Sequence, residues 1–310
     1  MASTTKIMTA LVAMELYDIH AWVEIRPEWT GIEGSSMYLK SGEKMQIIDL
    51  LYGLLLMSGN DAAEALAGIW TGNREDFIAV MNRKAEMLGL SDTAFVNPHG
   101  LEAEGHYSTA LDLARLMAVA MTNEVFREIT GTASCQRAGR YMRNHNKLLT
   151  LYNGCIGGKT GYTRKAGRCL VTAAEQQGRM LIAVTLQAPD DWSDHTILYD
   201  AAFSDMEQVQ IFQRGIVGRI AVAGGGNCPL YAEADYSIAL LSGEARNTFV
   251  DIHGPRLVYR PVKAGEQYGY LNVRLGEQVV FTTPLYYENE IPATVKASVW
   301  SMIRQWLRDR

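Results

Sequence analysis

Two segments of this chain, residues 3–17 and 46–57, are apolar around more than one helical face, and helices of that kind must be buried on all sides. In the first, Ile7, Leu11 and Met14 repeat at helical spacing, as do Met8, Val12 and Leu16. In the second, an apolar run from Gln46 to Met57 leads into Ser58-Gly59-Asn60. Such helices need a large core around them. A chain of 310 residues with 48% hydrophobic content can supply one, and that length suggests two domains. The spacing predicts further helices over 61–70, 74–88 and 109–121, with Ser3 capping the first helix and Ser108 the last.

From about Gly167 the pattern changes. Residues 169–174 and 180–186 read as strands joined by Gln176-Gln177-Gly178-Arg179, and 194–203 as a closing helix. Helices around a short antiparallel sheet make residues 1–205 an α+β domain. Residues 206–295 read instead as a small all-β sandwich, with strands expected at 220–222, 236–241, 249–252, 257–259, 270–273 and 279–281. The run Gly224-Gly225-Gly226 has no P-loop lysine and no helix after it, so it reads as a turn. Residues 296–310 read as an amphipathic helix. Val299, Trp300, Ile303, Trp306 and Leu307 gather on one side, with Lys296, Arg304, Arg308 and Arg310 as its cations. That helix suits either a membrane surface or a seat on its own domain.

The formal net charge is -5, which argues against a nucleic-acid partner. The cysteines Cys135, Cys155, Cys169 and Cys228 form no C-x-x-C pair and have no histidine at zinc-like spacing, so no metal is implied. They read as free or buried thiols, although export would permit a disulfide. No apolar stretch is long enough to span a bilayer, and no signal peptide is visible.

Three short elements carry chemistry. Ser3-Thr4-Thr5-Lys6 places a hydroxyl and an amine three residues apart, on one helix face. A serine needs a base, and a lysine can serve once burial and neighbouring cations lower its pKa. Ser58-Gly59-Asn60 offers a proton-relaying hydroxyl and an amide to orient a substrate. Lys159-Thr160-Gly161, ahead of strand-like residues, can dock an extended peptide and hold its carboxylate. Each element alone is common. The ordered set S-x-x-K, S-x-N, K-T-G is not.

With these motifs the chain resembles the serine D-Ala-D-Ala carboxypeptidases, the low-molecular-mass penicillin-binding proteins. The stretches 95–101, 105–110, 144–149 and 158–163 are similar to that family too. The resemblance is dense over residues 1–205 and looser through the β-rich part. It implies a penicillin-binding-protein/β-lactamase-like catalytic domain and a D-Ala-D-Ala carboxypeptidase working on peptidoglycan stem peptides at the outer face of the bacterial membrane. Ser3 is then the nucleophile and Lys6 its base. Ser58, beside Asn60, relays the proton, and Lys159, Thr160 and Gly161 bind substrate. The backbone N–H groups of Ser3 and Tyr162 form the oxyanion hole. β-Lactams acylate Ser3, and no cofactor is implied. His145 stands where some relatives carry a basic, substrate-facing residue. His99 and His106 read as structural hydrogen-bonders.

Family members carry an export signal and two β-strands ahead of the S-x-x-K helix, whereas two residues precede Ser3 here. The expectation is a start assigned too far downstream, a sheet short of two strands, and a nucleophile on a fraying end. The other readings are a truncated, non-catalytic cell-wall-peptide binder and a β-lactamase or esterase on the same fold. No class A deacylating glutamate motif stands between Asn60 and Lys159, which disfavours the β-lactamase.

Overall fold

The S-x-x-K segment opens as a 3-10 turn, Ala2–Thr5, and continues as α1 (Lys6–Leu16), whose residues Lys6 to Ala13 are buried as the apolar repeat requires. The computed structural model describes residues 1–223, 225–292 and 308, in two units, Met1–Ser204 and Asp205–Arg310. In the first unit, β1 (Trp22–Glu24) and β2 (Lys44–Gln46) pair as a short ribbon that leads into α2 (Ile47–Leu56). Leu50, Leu51, Leu54 and Leu55 of α2 join Ile7, Met8 and Leu11 of α1 in one core. Burying each such leucine contributes about 2 kcal/mol. α3 (Asn60–Ile69) is rich in alanine and buried along nearly its whole length. α4 (Arg74–Met87) is capped by Asn73, whose side chain accepts from the Glu75 N–H.

α5 (Ala110–Ala120) is capped by Thr109, not Ser108. The Ser108 hydroxyl lies 2.8 Å from that of Thr93, which leaves the cap to its neighbour. Besides the β1–β2 ribbon, the pattern did not foresee α6 (Glu124–Gly131), the hairpin β3 (Ser134–Arg137) with β4 (Arg140–Arg143), or the single turn α7 (Leu148–Leu151).

The main sheet of this unit is antiparallel, β5 (Cys155–Thr163), β6 (Gly167–Gln176) and β7 (Arg179–Leu186), with β6 in the middle. β6 is buried on both faces, and its period of two divides them. Val171 and Ala173 join the helical core, while Thr172 bonds to His195 and Tyr199 of α8 (Asp191–Ser204) on the opposite face. The unit is therefore three layers: helices, sheet, helix.

The second unit is all β. β8 (Glu207–Phe212), β9 (Gly215–Ala221), β10 (Asn227–Ala232), β11 (Tyr236–Leu240), β12 (Thr248–His253), β13 (Gln267–Leu275) and β14 (Gln278–Tyr287) form a five-stranded sheet, β12-β13-β14-β10-β9, and a pair, β11-β8. Tyr236 of the pair stacks on Phe281 of the large sheet at 3.9 Å between ring centroids, which seats the two sheets face to face. The strand expected at 257–259 does not form. Only Val258 bridges, to Val222. Gly225 and Gly226 both take positive φ beyond β9, as a turn needs. The helix expected at 296–310 lies outside the described residues, Arg308 apart. All four cysteines are free thiols, with Cys169 and Cys228 buried.

Candidate active site

Ser3 does not cap α1 and does not sit on a loose end. It lies within the 3-10 turn, and two hydroxyls tie that turn down. Thr4 Oγ1 donates to the Met1 carbonyl at 2.6 Å and Thr5 Oγ1 to the Ala2 carbonyl at 2.9 Å. Ala2 takes φ +49, a left-handed conformation unusual for a residue with a Cβ. Two glycines fit against this turn. A Cβ at Gly161 of β5 would stand 3.0 Å from the Ser3 nitrogen, and one at Gly100 would overlap the Ala2 carbonyl.

Lys6 is 0% exposed beneath Ser3. Its Nζ donates to Ser3 Oγ at 2.8 Å, to Asn60 Oδ1 at 2.7 Å and to the His99 carbonyl at 2.6 Å. Burial, then the charge of Lys159, holds its pKa well below the ordinary lysine value, with Asp61 opposing. Asn60 begins α3 and turns its amide nitrogen to the Glu33 carbonyl. It therefore anchors Lys6 from below, inside the protein. Ser58 follows α2 with φ +58, a conformation that ends the helix and turns the chain toward α3.

Ser3, Ser58, Thr160, Gly161, Tyr162 and His145 line one cleft of about 750 Å³. Lys159 does not line it. It is 1% exposed, and its Nζ donates to the Thr160 carbonyl at 3.0 Å. Burial pushes its pKa down to about 7. Burial, then Lys159, also lowers the pKa of His145, so that imidazole is neutral at pH 7. Tyr162 is largely exposed and is one of the residues lining the cleft.

The other two histidines brace the site. His106 Nδ1 accepts from the Val96 N–H at 3.1 Å, so its proton is on Nε2, which donates to Thr5 Oγ1 at 2.8 Å. His99 Nδ1 accepts from the Leu101 N–H, and Nε2 faces Glu64 Oε1 at 3.1 Å. This fixes the loop whose carbonyl receives Lys6.

The sequence reading missed Arg168, Asp191 and Trp192 on the cleft wall. Arg168 pairs with Tyr162 across the β5–β6 hairpin, and a strand counted from Gly167 rather than Cys169 shows that register. Among the residues lining the cleft, Asp191 is the one carboxylate, and Arg168 Nη2 donates to it at 2.7 Å. Among the described residues no group of His, Cys, Asp and Glu is placed to hold a metal. The arrangement can do acyl transfer: a hydroxyl against a buried low-pKa amine, a second hydroxyl in the same cleft, and a strand edge for an extended peptide.

The comparisons with known proteins point the same way. The D-alanyl-D-alanine carboxypeptidase family matches residues 1–190, and the family of the penicillin-binding protein 5 C-terminal domain matches residues 207–293. The chain is 33% identical over 301 residues to the D-alanyl-D-alanine carboxypeptidase DacF of Bacillus subtilis, covering 92% of this chain and 77% of that one. It is 31% identical to DacC of Escherichia coli, covering 98% and 82%. Penicillin-binding protein 5 of Haemophilus influenzae superposes with a TM-score of 0.66 at 25% identity, over 94% of this chain and 90% of that one.

Proposed function

The chain belongs to the D-alanyl-D-alanine carboxypeptidase family, and from that premise we propose how its own residues carry the reaction. It is a hydrolase that removes the terminal D-alanine from peptidoglycan stem peptides, and it binds penicillin. It works at the cell wall, outside the cytoplasmic membrane. No helix among the described residues is long and apolar enough to cross a membrane. Contact with the membrane surface is assigned to residues 296–310, on their sequence alone.

The observation that carries this reading is the 2.8 Å contact between Lys6 Nζ and Ser3 Oγ at the foot of the cleft. Protonated, Lys6 donates to all three partners, Ser3 Oγ, Asn60 Oδ1 and the His99 carbonyl; as the neutral amine that burial favours, it has two N–H groups and one lone pair. Asn60 Oδ1 and the His99 carbonyl take the two N–H groups, which leaves the lone pair facing Ser3. Ser3 Oγ gives its proton to Lys6 and bonds to the carbonyl carbon between the two D-alanines. The carbonyl oxygen gathers negative charge opposite the N–H groups of Ser3 and Tyr162. Fixed donors of this kind contribute about 3 kcal/mol each. The C–N bond breaks, and the leaving amine takes the proton from Lys6 by way of Ser58. Water then attacks the ester with Lys6 as base, and Ser3 recovers its proton as the shortened peptide leaves. Thr160 and Gly161 present the edge of β5 to the peptide, with Lys159 below supplying positive potential, and His145 flanks the acyl side.

Labelled penicillin tests this reading. The chain should form a covalent adduct that Ser3→Ala abolishes, and a persistent adduct in that variant rules Ser3 out. The adduct should also be long-lived. The one carboxylate among the residues lining the cleft is tied up by Arg168, so no free carboxylate stands ready to drive rapid β-lactam hydrolysis. Fast nitrocefin turnover would favour a β-lactamase instead.

A further inference from the structure

We propose that a hollow beside the catalytic cleft, framed by Tyr38 and Tyr141, binds the sugar strand that carries the stem peptide. The inference rests on the carboxypeptidase reading above and extends it from the peptide to the glycan. The hollow has a volume of about 530 Å³ and is lined by Tyr38, Lys40, Glu43, Met57, Arg140 and Tyr141. The chain joins it to the cleft at several points. Met57 of the hollow precedes Ser58 of the cleft, and the loop that brings Tyr38 to the one brings Ser35 to the other. Tyr141 shares the exposed face of β4 with Arg143, a cleft residue two positions on.

Both rings are open to water, Tyr38 at 73% exposure and Tyr141 at 68%. A lone exposed aromatic is common on a protein surface, but two on one hollow next to a substrate cleft mark a binding face. Tyr38 also takes φ +62, a left-handed conformation that a bulky side chain rarely adopts. Ala2 and Ser58, at the catalytic site, share that sign of φ. Neighbouring groups hold Tyr38 there. Its N–H donates to Ser36 Oγ at 2.8 Å, and its carbonyl accepts from Arg140 Nη2 at 2.9 Å. Arg140 donates as well to the Met37 carbonyl at 2.8 Å and to Glu43 Oε1 at 2.7 Å, which locks the Tyr38 loop to the strand that carries Tyr141. Asp61, next to Asn60, accepts from the N–H groups of Met37 and Leu39 at 3.0 Å each. Strain of this kind persists where the placement of a side chain matters, and a ring fixed in advance loses little entropy on binding.

The occupant follows from the chemistry of the substrate. The D-alanine that leaves is the end of the peptide, so whatever continues outside the cleft lies upstream, toward the sugar. The four residues between the scissile bond and the sugar reach about 14 Å at most when extended, so the sugar must rest close to the cleft. A pyranose ring has a face of C–H groups and a rim of hydroxyl and amide groups. The C–H face packs on an aromatic ring, and the rim bonds to polar groups around it. Tyr38 and Tyr141 supply the rings, and Lys40, Glu43 and Arg140 the polar groups.

The test measures binding in a Ser3→Ala background, so that nothing is cleaved. Calorimetric titration compares the free stem pentapeptide with the same peptide on its N-acetylglucosaminyl-N-acetylmuramyl disaccharide. The Ser3→Ala chain should bind the disaccharide form tighter by about 10-fold. Adding Tyr38→Ala and Tyr141→Ala together should bring that ratio close to one, and Tyr38→Phe with Tyr141→Phe, which keep both rings, should preserve it. No preference for the disaccharide form in the Ser3→Ala chain overturns the proposal, as does a preference that survives both alanines. So does an equal loss for the two ligands accompanied by a lower melting temperature, which marks a structural role. Hydrolysis of the free pentapeptide by the unmodified chain is measured separately. Failure there strikes the carboxypeptidase reading, and the binding ratio still decides the role of the hollow.

Discussion

Lys6 Nζ contacts Ser3 Oγ at 2.8 Å while its two other hydrogen-bond partners, Asn60 Oδ1 and the His99 carbonyl, come from chain segments far apart in sequence. The amine is thus aimed as well as buried. Lys6→Met keeps the volume and removes the base. It should lower the penicillin acylation rate by about 10²- to 10⁴-fold. Stopped-flow acylation checks the loss, and thermal melting checks that the fold survives. A rate within tenfold of the parent argues that another group takes the Ser3 proton.

Asn60→Asp exchanges a neutral acceptor, 2.7 Å from Lys6, for an anion. An opposite charge at that range favours protonated lysine. The pKa of Lys6 should rise, and the rising limb of the acylation pH profile should move to higher pH. Acylation at neutral pH then slows, and raising the pH recovers part of the rate. A slower rate with an unmoved profile would show that Asn60 sets position only.

Gly161 tests the contact between β5 and the 3-10 turn. A Cβ there would lie 3.0 Å from the Ser3 nitrogen and 3.1 Å from Ala2 Cβ. The turn must yield by a few tenths of an ångström, which shifts an oxyanion donor and the nucleophile together. Gly161→Ala should cost about 10²-fold or more in acylation. The stability loss should stay at about 1–3 kcal/mol, the usual range for overpacking. Urea unfolding and penicillin labelling measured together would show the imbalance.

What the sequence made legible was local. The period of α1 and α2 and the three motifs are short-range patterns, and the structure brings Ser3, Ser58, Thr160 and Gly161 of those motifs to one cleft. What stayed hidden depends on register or on backbone. The carbonyl of His99 leaves no mark in residue type, yet it takes a third of the hydrogen bonds of Lys6. Arg168 becomes visible only once β5 and β6 are paired. β10 was not foreseen; it carries Pro229, a residue ill suited to an inner strand, yet pairing to β14 begins at Leu230, one residue later. Residues 257–259 carry strand-forming side chains, yet only Val258 finds a partner.

Lys159 makes stability depend on pH. Burial holds it at about 7 against an ordinary 10.5. Between those values the unfolded chain binds a proton that the folded chain does not, so stability rises with pH. The slope from this one group is about 1.4 kcal/mol per pH unit, and below about pH 7 its burial penalty is fully present. Lys159→Met should remove that part of the slope in urea unfolding between about pH 7 and 9. An unaltered slope would show that Lys159 is solvated in solution.

At the acid end the same sign is set by His106 and His195. Burial pushes each down to about 4 from an ordinary 6.5. The ring nitrogens of His195 lie 2.7 Å from Thr172 Oγ1 and 3.1 Å from Thr185 Oγ1, with the Tyr199 ring edge-on and no carboxylate among its hydrogen-bond partners. His106 is worse placed to accept a proton, because Nδ1 already accepts from the Val96 N–H. As pH falls from about 6.5 toward 4, the unfolded chain protonates both rings and the folded chain neither. Each histidine then costs about 1.4 kcal/mol per pH unit. Unfolding free energies at about pH 7 and 5 should differ in the parent, and by less in His106→Gln and less again with His195→Gln added. Because His106 holds Thr5, and Thr5 holds the turn that carries Ser3, penicillin acylation should fail in acid before the fold melts. Activity and melting lost at one common pH would mean that His106 does not act through the turn.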